Sequence, residues 1–180
     1  TVPTEDVIIN PPTIPDDLYT RPVWFKCDNC AATSVVQDSR LFHGPTLASS
    51  VQNIVGISTG SAVPVFGRNT AVFLIHDRRT GLPVVVHLGG VLHCRAGSIP
   101  NNIISGIQIS EIFHVSHGQI GGEFHTPNLR TCYAALLHNV EIQLTLHNQG
   151  FAFSAAPCHF NSPIFMAPTT QHVYLGHDQD

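Results

Sequence analysis

A chain of 180 residues with 43% hydrophobic content is long enough to bury a core without disulfides or metal, and a net charge of −4 offers no basic patch for nucleic acid or acidic lipid. Only 11% of the residues are charged, with Lys26 the single lysine. A monomer usually covers its surface with interspersed charges, so an exterior this poor in ions points to contact with other protein molecules before it points to catalysis.

Residues 1 to 22 hold five prolines and four acids with no hydrophobic face. Proline fixes φ and removes a donor, so this segment reads as an extended arm and the folded body as residues 23–180. A first strand is predicted over Val23 to Lys26, resuming near Val35. Leu47, Val51, Ile54 and Val55 fall at i, i+4, i+7 and i+8, which predicts a short helix with Thr46 as N-cap and Gly56 as stop. A hairpin follows, with strands Ala71 to Ile75 and Leu82 to Leu88 around a turn whose Gly81 suits a left-handed position. Gly89-Gly90 is expected to break the second strand before Val91 to Cys94.

Alternation from Ile107 to Val115 reads as a strand with one mostly apolar face, Glu111 being the exception. Thr126-Pro127 resembles an N-cap with proline at N1, and Leu129, Cys132, Tyr133, Leu136 and Leu137 recur at helical spacing, so a second helix is predicted to end near His138. The clearest strand is next, with Val140, Ile142, Leu144 and Leu146 on one face and Glu141, Gln143, Thr145 and His147 on the other. Asn148-Gln149-Gly150 turns it into Phe151 to Phe153. The tail after Pro157 shows too little periodicity to assign. The sum is an α+β class body: a compact single domain, mostly antiparallel sheet with two short helices, preceded by the extended arm.

No motif completes an active site. Gly56-Ile57-Ser58-Thr59-Gly60 has the nucleophile-elbow pattern, followed by Asp77 and His87 in hydrolase order, yet the elbow needs a strand before the serine and here a helix is predicted. Cys27 and Cys30 have the spacing of a zinc knuckle, which is half a tetrahedral site, and no second pair repeats it, so no metal or other cofactor is assigned. Five cysteines, an odd number, favour a reducing compartment. No stretch reads as a signal peptide, and the longest apolar run is far too short to cross a bilayer. The twelve histidines titrate near 6.5 when unperturbed, which makes the net charge a function of pH.

Within the arm, Pro12-Thr13-Ile14-Pro15 and the nearby Tyr19 form a short proline motif of the kind that aromatic grooves bind in extended form. Ile57 to Val65, with Ile57, Val63 and Val65 as its apolar residues, reads as a partner-facing loop for self-association. The order of elements, and above all Asn128-Leu129-Arg130 leading into Val140 to His147 and on to His159-Phe160-Asn161-Ser162 and Met166, resembles the matrix proteins of rhabdoviruses.

That resemblance implies an α+β body that self-associates between nucleocapsid and envelope, in the virion and in host cytoplasm. It also implies an arm that engages neighbouring subunits, the nucleocapsid or host budding factors. The arm lacks the lysines with which many such proteins bind acidic lipid, and Pro12 to Pro15 departs from the usual P-T-A-P motif at Ile14. The expectation is therefore a structural, self-associating virion protein with no enzymatic activity. Two alternatives are a β-rich capsid or coat subunit and a small serine hydrolase using Ser58. A helix over Pro127 to His138 favours the matrix-like fold, and its absence the coat-like one.

Overall fold

The computed structural model describes residues 21–28, 31–49, 53–54, 62–105, 131–135, 140–147 and 150–175. These form ten strands: β1 (Val23–Asp28), β2 (Val35–Val36), β3 (Asn53–Ile54), β4 (Val63–His76), β5 (Pro83–Cys94), β6 (Asn102–Ser105), β7 (Thr131–Ala135), β8 (Glu141–His147), β9 (Gly150–Pro157) and β10 (Gln171–Leu175). Among the described residues the α-helical content is one turn, α1 (Pro163–Met166).

Six strands pair in a ring. β4 pairs with β5, β5 with β2, β2 with β6, β6 with β1 and β1 with β9. Phe73↔Pro157 and Leu74↔Ala156 then join β9 back to β4 and close a barrel. Closure covers the edges of these strands where they meet, and β4 keeps a further stretch of edge that β3, Leu47 and Phe42 occupy. Three pairings are parallel, β1 with β6, β2 with β5 and β5 with β10, so the sheet is mixed.

The alternation of β4 and β5 sets two faces. Ala71, Phe73 and Ile75 of β4 and Val84, Val86 and Leu88 of β5 point into the barrel, where Val23, Phe25, Val36, Leu41, Ile104 and Phe153 meet them. Three phenyl rings fill the centre, with centroids 4.8 Å apart for Phe25 and Phe73, 5.3 Å for Phe25 and Phe153 and 6.3 Å for Phe73 and Phe153. Burying a side chain of this size contributes roughly 1.5–3 kcal/mol. Ile142 and Leu144 of β8 and Val173 and Leu175 of β10 join the same core.

Among the described residues neither expected helix is found, so the α+β assignment is corrected to a mostly β body. Thr46, expected to cap the first helix, is buried and bonded to a histidine; Leu47 bridges to Arg68, and Ile54 pairs with Val63. Leu47, Val51, Ile54 and Val55 have helical spacing, but β4 is a long strand whose edge accepts the backbone at Leu47 and Ile54. The second helix fails in the same way, because Thr131–Ala135 lies antiparallel to β8, with Cys132 opposite Leu144 and Ala134 opposite Ile142. Thr, Cys and Tyr favour a pleated surface, and a ready partner strand outweighs helical spacing.

Gly89-Gly90 does not end the strand. β5 runs from Pro83 to Cys94, and between Asn69↔Val91 and Ala71↔Leu88 the single Thr70 faces both glycines. Gly90 has φ +69°, which a bulge of this kind requires and a residue with a Cβ resists. Gly81, at φ +72°, occupies the left-handed position expected of it in the turn between β4 and β5. The predicted arm with Pro12, Thr13, Ile14, Pro15 and Tyr19, the strand from Ile107 to Val115, and Ile57, Ser58 and Cys30 lie outside the described residues.

Candidate functional site

The outward face of the same strands carries most of the polar chemistry. Val72 and Leu74 of β4, Val85 and His87 of β5, and His172 and Tyr174 of β10 project from the outer wall, because each alternates with a core residue. The segment 158–170 lies over this wall as a strap. Cys158 is buried against Val72 and Val85, and Leu74 and Phe165 pack on the same cluster. Locally the strap is shaped by Ser162, whose Oγ accepts from the Phe165 amide at 3.2 Å and caps α1, with Pro163 at the position where a missing N–H does no harm.

Two histidines pin the strap. His172 Nε2 lies 3.1 Å from the carbonyl oxygen of Phe165. That oxygen can only accept, so Nε2 carries a proton. His172 Nδ1 lies 2.9 Å from His87 Nε2. Rings stack around the pair: Tyr174 lies on His87 with centroids 4.3 Å apart and planes 17° apart, and Phe165 meets His172 edge-on at 4.9 Å and 90°. Burial, then the neighbouring His172 and His43, push His87 down to about 4.

Beside the pair is a groove of about 480 Å³ lined by His43, Leu47, Val72, His87, Phe160 and Phe165 among others, none of the lining residues being Asp, Glu, Lys or Arg. His43 Nε2 is buried there without a hydrogen-bond partner among the described residues. Burial and then His159 lower the His43 pKa, against an opposing backbone hydrogen bond from Cys158. Phe160, Ile164, Met166 and Tyr174, all on the strap or β10, are among the exposed large hydrophobics, Met166 at 67% and Tyr174 at 73%. Sequence periodicity passed over this region, yet one signal was there: residues 142–177 contain no Asp, Glu, Lys or Arg.

A second imidazole holds the other segment that crosses the wall. His93 at the end of β5 is 6% exposed, and its Nδ1 lies 3.1 Å from Thr46 Oγ1. Asn69 Nδ2 donates to the same hydroxyl oxygen at 3.1 Å and to Gly44 O at 3.1 Å. Thr46 Oγ1 keeps its own proton and a second lone pair, so it can donate to Nδ1 of one neutral tautomer or accept from Nδ1–H of the other. Burial alone pushes His93 down to about 4. Phe42 and Phe66 flank it at 4.3 and 5.4 Å. The crossing itself depends on Gly67, because a Cβ there would collide with Leu47 O and Thr46 Cγ2, where the Leu47 and Arg68 backbones exchange hydrogen bonds of 2.9 and 2.8 Å.

The residues singled out from sequence fall elsewhere. Val63, expected on a partner-facing loop, is buried with Val35, Leu92, Cys94 and Ile99, and Val65 packs against that cluster. Cys27 packs on the main core, and Cys94 and Cys158 are buried free thiols. Among the described residues no group of three or more His, Cys, Asp or Glu side chains is arranged to hold a metal ion. Nor is any described helix long and apolar enough to cross a membrane.

Asp77 and His87 are not brought together. Asp77 Oδ1 accepts from the amides of Arg79 at 3.0 Å and Glu141 at 3.3 Å, which fixes the turn between β4 and β5 and ties it to β8. His87 faces Val72 across the hairpin, five residues up the strand from Asp77, which places the two roughly 16 Å apart. His87 instead bonds His172, so an Asp-His couple for Ser58 is not formed.

Comparison of the chain with protein families, with curated proteins and with solved structures finds no match. The functional reading therefore rests on the residues and their geometry.

Proposed function

We propose that this protein is a structural, self-associating subunit of the coat type, whose β-barrel body meets further copies of itself through the face formed by the strap and β10. The observation that carries the reading is the concentration there of exposed Phe160, Ile164, Met166 and Tyr174 within a run free of ionic side chains. Exposed apolar surface of this kind marks contact with protein, and the absence of like charges removes a penalty against meeting an identical copy. The strand at Thr131–Ala135 supports a β-rich coat subunit over the α+β matrix body that the sequence resemblance implied. A place in a virion, and an arm contact through Pro12 to Pro15, belong to the same proposal.

Sedimentation velocity of the full chain and of a Met166→Glu/Tyr174→Glu variant tests it. Both side chains are mostly exposed, so the variant keeps its barrel, which circular dichroism checks. The expected result is concentration-dependent growth in mass for the natural chain and weakening of association by about tenfold or more in the variant. Equal association of the two chains would move the interface elsewhere, and a natural chain that stays single at high concentration would end the proposal. Deletion of residues 1–20 is expected to weaken assembly further, because a second contact acts at high effective concentration.

A further inference from the structure

We propose that the His87–His172 pair is an acid-operated latch: a second proton on the pair breaks the bond between the imidazoles and releases the strap, residues 158–170, while the barrel beneath it stays folded. The inference concerns a movement within one chain, and it stands whether or not the strap face associates.

Phe165 O fixes a proton on His172 Nε2, so His172 meets His87 through Nδ1 alone. The 2.9 Å bond needs one of its two nitrogens bare. One added proton is accommodated, because whichever ring is charged donates to the other. Two added protons set N–H against N–H and place two cations side by side, and the bond is lost.

Among the described residues no carboxylate lines the groove beside the pair. Facing the pair are His43 from the crossing segment, Cys158 from the strap and Tyr174 from β10, with His159 against His43 and with Asn69 and Thr70 completing the groove. Neighbouring imidazoles, once charged, repel a further proton. Burial, then His172 and His43, hold His87 down to about 4 against an ordinary 6.5. A ring whose folded pKa is depressed stabilises the closed form fully above 6.5, and that stabilisation is lost as pH falls from 6.5 toward 4.

What remains to hold the strap is local. His43 meets the rings of Phe160 and Phe165, and Phe165 and Cys158 pack on Val72, Leu74 and Val85, a cluster separate from the main core of the barrel. Loss of the latch therefore releases a local unit and leaves the three-phenylalanine core closed.

Cys158 is a built-in reporter, since it is 4% exposed beneath the strap, whereas Cys94 is fully buried in a different cluster. The full chain is treated with 4,4′-dithiodipyridine, which attacks thiols in acid, at a series of pH values from about 7.5 to about 4. Labelling is mapped by mass spectrometry and scaled to the unfolded chain. The latch predicts that Cys158 labelling rises about tenfold or more across this range while Cys94 stays protected. Lasting protection of Cys158, or release of Cys158 and Cys94 together, would overturn it.

His172→Gln sharpens the test, because its amide still donates to Phe165 O and cannot be protonated. The expected result is a flattened pH dependence of Cys158 labelling. A pH dependence unchanged from the natural chain would overturn the latch as firmly. Met166, the single methionine of the chain, gives a second readout through its methyl resonance, expected to shift at the same pH as Cys158 becomes reactive.

Discussion

The two segments that cross the barrel wall are both held by imidazoles, and they differ in what surrounds the ring. His93 is alone, nearly fully buried, and bonded to a hydroxyl that Asn69 fixes in turn. His87 is half-buried and bonded to another imidazole, with a third at His43. Burial by itself lowers the first, and burial joined to like neighbours lowers the second. The same residue type thus makes an anchor in one place and a releasable contact in the other, because burial alone opposes a proton on His93, while a second proton on the pair also meets a neighbouring cation.

The largest effect on this comparison comes from removing what the two sites share. Phe73→Ala empties the centre of the barrel and is expected to cost about 3–5 kcal/mol in denaturant unfolding, lowering protection at both segments together. Acid should follow. With His93 at about 4 in the fold against an ordinary 6.5, its contribution is complete above 6.5 and fades as pH falls toward 4, a loss on the order of 3 kcal/mol readable as a falling urea midpoint. His93→Gln should flatten that part of the curve.

Thr46→Val comes next and separates the sites. It deprives His93 Nδ1 of its hydrogen-bond partner and Asn69 of one acceptor, an expected cost of about 1–3 kcal/mol in urea unfolding, with Cys158 still protected at neutral pH. Arg79→Ala, far from both sites, should cost less than about 1 kcal/mol. Its contacts to Asp77 at 3.8 Å and Glu141 at 3.6 Å are long and solvent-screened.

The parts of the fold that could be read from sequence are those where local pattern and tertiary partner agree. Alternation located β1, the β4–β5 hairpin with Gly81 at its turn, and β8 running into β9, since each has a core face of its own. The misreadings share one cause. Leu47 and Ile54, and likewise Thr131 to Ala135, carry helical spacing in a chain whose long strands offer hydrogen-bonding edges nearby, and spacing does not show what lies next door in space. Gly89-Gly90 reads as a strand end in sequence because a bulge and a break look alike until the opposite strand is known.

The candidate site was harder still. His87 lies 85 residues from His172 and approaches it only because β10 returns parallel to β5. Thr46 and His93 are 47 residues apart. What could be read was compositional: a chain with few charges and many histidines, whose functions then depend on which histidines meet.

The central claim, that His93 and His87 hold these two segments as uncharged rings at neutral pH, is tested most directly by a long-range ¹H–¹⁵N spectrum of the histidine rings followed with pH. The account predicts both His93 and His87 uncharged until pH approaches about 4. Either ring found charged near pH 6.5 would contradict it.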